Sequence, residues 1–380
     1  MAERSASARS VTPLDSRALR RYSRHLLVPE IGLRGQERLA AGRVLVVGAG
    51  GLGSPALQYL AAAGVGRIGI ADGDRVDETN LQRQTIFATS DVGRNKAQAA
   101  AERVRALNPL VAVDEIAIDV DQHNVQDLVR LYDAVLDCTD RFETRYLLND
   151  ACVLERKPDV YGSIFRFDGQ VSVFAFAGGP CYRCLYPEAP EPGSVPSCAE
   201  GGVMGALAGI VGAWQASETL KVLLGIGEPL AGRLMLVETL AARTREVRFE
   251  RDRSCAVCGE RPTITRAETI AFADDSGAGI EEVEPESLER ALDGALLLDV
   301  REPHEAVLGT LGGAVEIPAS QLEARMHELD TAKRYIVACR VGVKSRWAVR
   351  RLREAGFGRL SHLRGGLLAY AAQRPDFEFY

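Results

Sequence analysis

The stretch RVLVVGAGGLGSPALQYLAAAGVGRIGIAD, residues 43–72, decides the fold. After its first residue Arg43–Val47 is wholly apolar, which is how a strand covered on both faces reads. Gly48, Gly50, Gly51 and Gly53 follow in a G-x-G-x-x-G pattern. A helical run over Pro55–Ala63 then leads into a second strand, Arg67–Asp72. Strand, glycine turn, helix, strand, with an acid about twenty residues beyond the glycines, is the fingerprint of a nucleotide site. Glycines let the backbone approach phosphate, and the helix N-terminus behind them carries partial positive charge. Asp72 can accept hydrogen bonds from ribose hydroxyls. Taken alone, the pattern leaves NAD and ATP equally open.

Working outward, residues 21–40 read as helical and residues 1–20 as a loose polar arm. Asn95–Ala106 reads as a helix. Val111–Asp119 and Asp133–Cys138 read as strands, and Gln170–Phe176 as the start of an antiparallel extension. This alternation predicts an α/β fold with a Rossmann-like, doubly wound sheet. A charged segment near residues 261–286 reads as a linker. Beyond it Ala295–Val300 and Tyr335–Cys339 begin a second, small α/β unit. The expected division is 1–262, a linker over 263–282, and 283–380.

The 380-residue length suits two domains. A net charge of −6 argues against a nucleic-acid binder. The first ten residues contain no apolar leader, and the apolar run Gly202–Trp214 is short for a membrane span. These features predict a cytoplasmic protein with no membrane partner.

Three further clusters carry chemistry. Asn80 and Arg83 follow the second strand, Lys96 lies on the next helix, and Asp140 closes DCTD after the fourth strand. Cations and an acid converging near phosphates suit nucleotidyl transfer with Mg²⁺, whereas hydride transfer does not need them. Cys181 and Cys184, with Cys255 and Cys258, form two C-x-x-C pairs, a set suited to closed tetrahedral Zn²⁺ stapling the end of the first domain onto its middle. Cys339 ends a strand and precedes a helix. The loop amides, the helix N-terminus and nearby Arg340, Lys344 and Arg346 are expected to depress its thiol pKa. Cys138 and Cys152 read as packing residues, and none of the five histidines shows metal spacing.

RYSRH at 21–25, GAGGLGS at 48–54, NLQRQ at 80–84, DCTD at 137–140 and GQVSVF at 169–174 together resemble the MoeB/ThiF family of ubiquitin-activating-type adenylyltransferases, over about residues 15–260. The resemblance implies that the C-terminal glycine carboxylate of a ubiquitin-like sulfur carrier, ending in Gly-Gly, attacks the α-phosphorus of ATP. It implies ribose binding by Asp72 and phosphate contacts from Asn80, Arg83 and Lys96. Asp140 would hold Mg²⁺ or orient the reacting groups. Arg24 would reach across a homodimer to the neighbouring nucleotide. Arg141 departs from the family, which usually has asparagine after this aspartate. Cys198, in PSCAEGGV, matches a position that is covalently engaged in some members and dispensable in others. Its neighbour Glu200 would raise rather than lower its pKa.

Asp299-Val300-Arg301-Glu302, GGAVEIP at 312–318 and CRVGVKS at 339–345 resemble the rhodanese family, over about residues 283–380. A phosphatase C-x₅-R loop is excluded, because position 345 is serine. The resemblance implies a persulfide on Cys339, loaded by a donor such as a cysteine desulfurase. The combined expectation is an adenylyltransferase fused to a sulfurtransferase, serving molybdopterin, thiamin, cysteine or tRNA thiolation. The alternatives are an NAD-dependent oxidoreductase with a rhodanese appendage, or a scaffold that activates nothing.

Overall fold

The structure, a computed structural model, describes residues 13–190, 201–270, 279–307, 309–374, 376, 377 and 379. Cys198 lies outside these residues. The chain divides into two units, residues 1–189 with 201–270, and residues 190–200 with 271–380.

The first unit is built on eight strands: β1 (Arg43–Val47), β2 (Arg67–Ala71), β3 (Ala112–Ile116), β4 (Ala134–Asp137), β5 (Asp159–Phe165), β6 (Asp168–Phe174), β7 (Arg233–Glu238) and β8 (Arg243–Arg248). Their order in the sheet is β3-β2-β1-β4-β5-β6-β7-β8. The pairs from β3 through β5 are parallel, and β6, β7 and β8 extend the sheet antiparallel.

The apolar character of β1 has a direct cause. Val44 and Val46 pack into one core with the helices Gly53–Ala63, Lys96–Leu107 and Gly205–Leu224. Leu45 and Val47 point the other way, into a second core with Val125, Val129, Leu147 and Leu148. A strand with helices on both faces has no solvent side, so its period-2 alternation disappears. Each such side chain contributes about 1.5–3 kcal/mol on burial. The expected helix over 21–40 is instead two, Ser23–Leu26 and Gly32–Ala41. Residues 263–270, read from sequence as linker, lie against the first unit, with Ala267 fully buried and its amide donating to Gln126.

The second unit carries β9 (Glu281–Val283), β10 (Leu296–Asp299), β11 (Val315–Glu316), β12 (Tyr335–Ala338) and β13 (Leu360–Leu363). Their order is β11-β10-β12-β13-β9, with every pair parallel. The helix after β12 runs over Val343–Glu354. Among the described residues, no helix is long and apolar enough to cross a membrane.

Candidate functional sites

In the first unit, parallel register aligns Val47 with both Ala71 and Asp137, so the carboxyl ends of β1, β2 and β4 lie side by side. Everything that follows these ends is brought to one edge of the sheet, where ligands of doubly wound folds bind. The glycine turn starts there. Gly48 has φ +93°, and a Cβ on it would lie 2.7 Å from the Cys138 carbonyl oxygen. A Cβ on Gly53 would lie 2.0 Å from the Gly48 carbonyl oxygen. Both positions therefore need glycine for the turn itself. Gly50 and Gly51 are looser: Gly50 faces the Gln84 amide, and Gly51 faces Ala208 and the Arg83 side chain. The structure thus lays part of NLQRQ over the glycine turn.

Asp72 braces the same turn. Its Oδ2 accepts from the Ala49 amide at 2.8 Å and its Oδ1 from the Asp74 amide at 2.9 Å. Burial pushes the Asp72 carboxyl above its ordinary value, with Lys96 and the two amides pulling the other way. Lys96 is 7% exposed and its Nζ pairs with Asp74 at 2.9 Å. Its charge is thus already engaged at this edge. Asn80 ends a short 3₁₀ turn, Glu78–Asn80, and Arg83 donates to the Thr79 carbonyl at 3.3 Å. Asp140 is exposed in the turn after β4. Arg141 beside it is 4.0 Å from Asp119.

Arg24 is not brought to this group. It is exposed on the helix Ser23–Leu26. Its neighbours Tyr22 and His25 pack at the far end of Gly53–Ala63: the Tyr22 ring lies over Gly64, and His25 bonds to Gln36, which donates to the Ala63 carbonyl. The 11 residues of that helix separate the two ends by about 16 Å.

Sequence reading missed a buried network beneath the DCTD turn. Asp137, Asp159, Arg145 and Gln215 are all at most 5% exposed. Asp137 Oδ1 accepts from the Thr139 amide and hydroxyl at 2.9 and 2.6 Å, and Arg145 Nε stands 3.4 Å from Asp137 Oδ2. Gln215 donates to the carbonyls of Asp137 and Val160 at 2.7 and 3.0 Å. Burial and the neighbouring Asp137 push the Asp159 carboxyl well up. The stretch FETRYLLNDACVL, residues 142–154, mixes polar and apolar residues and gives no signal that Arg145 turns inward. Burial likewise pushes the Cys138 and Cys152 thiols well up, with Asp137 and Asp159 adding to it, in keeping with packing roles.

The four cysteines converge as their spacing suggested. All four sulfurs lie within 4.8 Å of one another. Three of the separations are Cys181–Cys184 3.8 Å, Cys181–Cys255 3.6 Å and Cys184–Cys258 3.3 Å. Tetrahedral Zn–S bonds of about 2.3 Å place sulfurs about 3.8 Å apart, and these separations of 3.3–3.8 Å lie close to that. The Asp252 amide points at Cys184 Sγ at 3.4 Å, a donor suited to a thiolate. Crowded thiolates repel one another unless a cation sits among them.

In the second unit Cys339 ends β12 and is 1% exposed. The Gly342 amide donates to its Sγ at 3.1 Å, and the amides of Val341 and Ser345 join it. The cradle is as expected, but its electrostatic outcome differs from the sequence reading. Burial dominates and pushes the thiol above its ordinary value, although Ser345, Val341 and Gly342 each pull it down. Lys344, expected to add positive charge, is neutralised by Glu305 at 2.7 Å. Asp299 and Arg301, both buried, pair through Nε and Nη2 at 2.6–3.0 Å, and Arg301 donates to the Glu305 carbonyl at 3.4 Å. They thus brace the loop through Glu305 and Lys344.

A glycine turn braced by an acid at joined strand ends defines a nucleotide-binding α/β unit. An amide-cradled cysteine at a strand–helix junction defines a sulfur-handling one. The ThiF family model matches residues 22–257 and the rhodanese-like domain model matches residues 284–373. The chain belongs to the ThiF family and carries a C-terminal rhodanese-like domain. It is 45% identical over 377 residues to the probable adenylyltransferase/sulfurtransferase MoeZ of Mycobacterium tuberculosis, covering 95% of each chain. It is 53% identical over 250 residues to the sulfur carrier protein adenylyltransferase of Thermus thermophilus, covering 64% of this chain and 92% of that one. It is 44% identical over 337 residues to adenylyltransferase and sulfurtransferase MOCS3 of Mus musculus, covering 85% of this chain and 73% of that one. A crystal structure of E. coli MccB with MccA-N7isoASN shares the fold, at TM-score 0.57 and 23% identity over 63% of this chain and 75% of that one.

Proposed function

We propose that this chain adenylates the C-terminal glycine of a ubiquitin-like sulfur carrier and then replaces the activated oxygen with sulfur. The observation that carries the reading is the bracing of the glycine turn by Asp72 at the joined ends of β1, β2 and β4. ATP lies with its phosphates on the Gly48–Gly53 turn and its ribose on Asp72. Asn80, Arg83 and Lys96 offset phosphate charge. Exposed Asp140 holds Mg²⁺, a hard cation suited to a carboxylate that keeps its water. When bound, that ion neutralises charge on the phosphates. A carboxylate oxygen of the carrier attacks the α-phosphorus, the bond to the bridging oxygen breaks, and pyrophosphate leaves.

Cys339, loaded with sulfur by a donor such as a cysteine desulfurase, presents a terminal sulfur beyond its buried Sγ. That sulfur attacks the acyl carbonyl and AMP departs with the bonding pair. A thiol then attacks Cys339 Sγ, breaking the S–S bond and releasing the thiocarboxylate while a new disulfide forms. Cys198 is one candidate for that thiol. The position of Arg24 at the far end of Gly53–Ala63 supports its service to a second copy in a homodimer. Zinc on the four cysteines is structural. The adenylation domain extends through residue 270 and the sulfurtransferase domain starts with β9 at Glu281, in the cytoplasm.

The test is ATP–pyrophosphate exchange stimulated by a carrier ending in Gly-Gly, followed by mass spectrometry for replacement of one oxygen by sulfur. Asp140→Ala abolishes exchange and leaves thiosulfate sulfurtransfer by Cys339 intact. Undiminished exchange in that variant removes the Asp140 assignment. A turn filled by a dinucleotide, with no exchange under any carrier, overturns the whole reading.

A further inference from the structure

The back of the Cys339 loop is closed by the helix Gly366–Gln373. The first N–H groups of a helix have no partner within it, and Gly365 before this one supplies no side-chain cap. The loop takes two of these donors. The Leu367 amide donates to the Cys339 carbonyl and the Leu368 amide to the Arg340 carbonyl, each at 2.9 Å. The C=O and N–H of a trans peptide point in opposite directions. With both carbonyls drawn to the helix, the Arg340 and Val341 amides face away from it. The next amide, that of Gly342, donates to Cys339 Sγ at 3.1 Å.

Two glycines lead into this helix, and they differ in what they touch. Gly365 and Gly366 both have left-handed φ, +68° and +67°. A Cβ on Gly366 would lie 2.5 Å from the Cys339 carbonyl oxygen and from the Arg340 carbonyl carbon and oxygen. All three are backbone atoms, so the helix meets the loop this closely only through a glycine. A Cβ on Gly365 would meet only Ala369 Cβ, at 2.6 Å and within its own helix. Leu367 and Tyr370 anchor the helix in a core with Val283, Ala338 and Leu363. An added methyl at Gly366 therefore displaces the loop rather than the helix, and the loop amides turn with it.

We propose that Gly366 is a positioning residue for sulfur transfer. It lets the helix Gly366–Gln373 grip the Cys339 and Arg340 carbonyls, and so holds the loop amides in place for an anionic persulfide sulfur on Cys339. This rests on the assignment of Cys339 as the sulfur-bearing residue made above. Loading by thiosulfate is the step that reads the amides. The Cys339 sulfur attacks the sulfane sulfur, the S–S bond of thiosulfate breaks, sulfite leaves with the bonding pair and the thiol proton passes to water. A neutral thiol becomes an anionic persulfide, so well-placed donors shift the equilibrium toward the loaded form.

The test incubates the full chain at set ratios of thiosulfate to sulfite and measures persulfide on the Cys339 peptide by mass spectrometry. Gly366→Ala and Gly365→Ala are compared with wild type, with melting temperature recorded for each. Both carry the backbone cost of a left-handed alanine, and only Gly366→Ala reaches the loop. Gly366→Ala needs a ratio at least about tenfold higher for half-loading, the lower end for one hydrogen bond to a charged group. Gly365→Ala melts lower yet loads at the wild-type ratio. Wild-type loading in folded Gly366→Ala overturns the proposal, as does an equal loss in both variants, which traces the effect to strain at the helix start. If Gly366→Ala does not fold, hydrogen exchange on wild type decides. Coupling is reciprocal, so persulfide loading slows exchange of the Leu367 and Leu368 amides by at least about fivefold; unchanged exchange there overturns the clamp. A wild type that takes no sulfur on Cys339 sinks the assignment of Cys339 itself, and the proposal with it.

Discussion

Alanine at Gly50 and alanine at Gly53 should shift stability in opposite directions, although only two residues lie between them in one turn. A methyl on Gly50 would meet only the end of the Gln84 side chain, at 3.4 Å, an ordinary contact. A methyl on Gly53 would meet the Gly48 backbone, 2.0 Å from its oxygen and 3.0 Å from its carbon. Replacing glycine where alanine fits stabilises by about 0.4–1 kcal/mol through the unfolded chain. In a unit of this size that raises the melting temperature by about 1–4 °C. Gly50→Ala therefore melts at or slightly above wild type. Gly53→Ala must open the turn by about 1 Å to relieve the overlap, at a cost of about 1–3 kcal/mol. Both lose ATP–pyrophosphate exchange, for different reasons. In Gly53→Ala the turn is displaced, and a shift of about 1 Å can cost about a hundredfold in rate. In Gly50→Ala the fold is intact and the methyl stands where phosphate approaches the backbone. Exchange kinetics with scanning calorimetry separate the two, and sulfurtransfer by Cys339 serves as an internal control. Gly50→Ala with full exchange would refute the claim that phosphate sits on this turn.

The second unit offers two further tests. Lys344→Met leaves the buried Glu305 carboxylate without its cation and costs about 3 kcal/mol, near the lower end for breaking a buried pair. Urea unfolding followed by Trp347 fluorescence in a Trp214→Phe background checks this, and an unshifted midpoint contradicts it. Because burial raises the Cys339 thiol above its ordinary value, its alkylation by iodoacetamide should still be climbing with pH where an ordinary cysteine has levelled off. A rate that levels off below pH 8 points instead to a thiolate already formed at neutrality. For the cage, atomic absorption should find one zinc per chain. Cys184→Ser with Cys258→Ser should lose it and melt lower, whereas a double variant that keeps its zinc shows that the metal lies elsewhere.

Particular residues show how far the site was legible before folding. Gly48–Gly53 with Asp72 was legible because a close backbone approach and a strand-end acid each demand particular residue types at fixed spacing. The four cysteines were legible for the same reason, since two short pairs can close only one cage. Arg83 and Lys96 were placed near the nucleotide edge from sequence. The ion pair of Lys96 with Asp74 was not visible, because it depends on how a helix start packs against the loop after β2. Arg145 was overlooked because nothing in FETRYLLNDACVL marks which face of the helix turns inward, and a charged residue in a helix is usually solvated.

The residues alone determined the doubly wound first unit, the glycine turn, the cysteine cage and the amide-cradled cysteine of the second unit. Each follows from short-range rules of covalent geometry, periodicity and ligand chemistry. The three-dimensional structure decided what depends on burial and on partners distant in the chain. It set the sign of the Cys339 shift, where loss of solvent outweighs nearby amide dipoles. It placed Arg24 near the end of Gly53–Ala63 that lies away from the glycine turn, and it set the buried Arg145 guanidinium against the Thr139 carbonyl. Desolvation and long-range contact are properties of packed volume, and a linear sequence does not carry them.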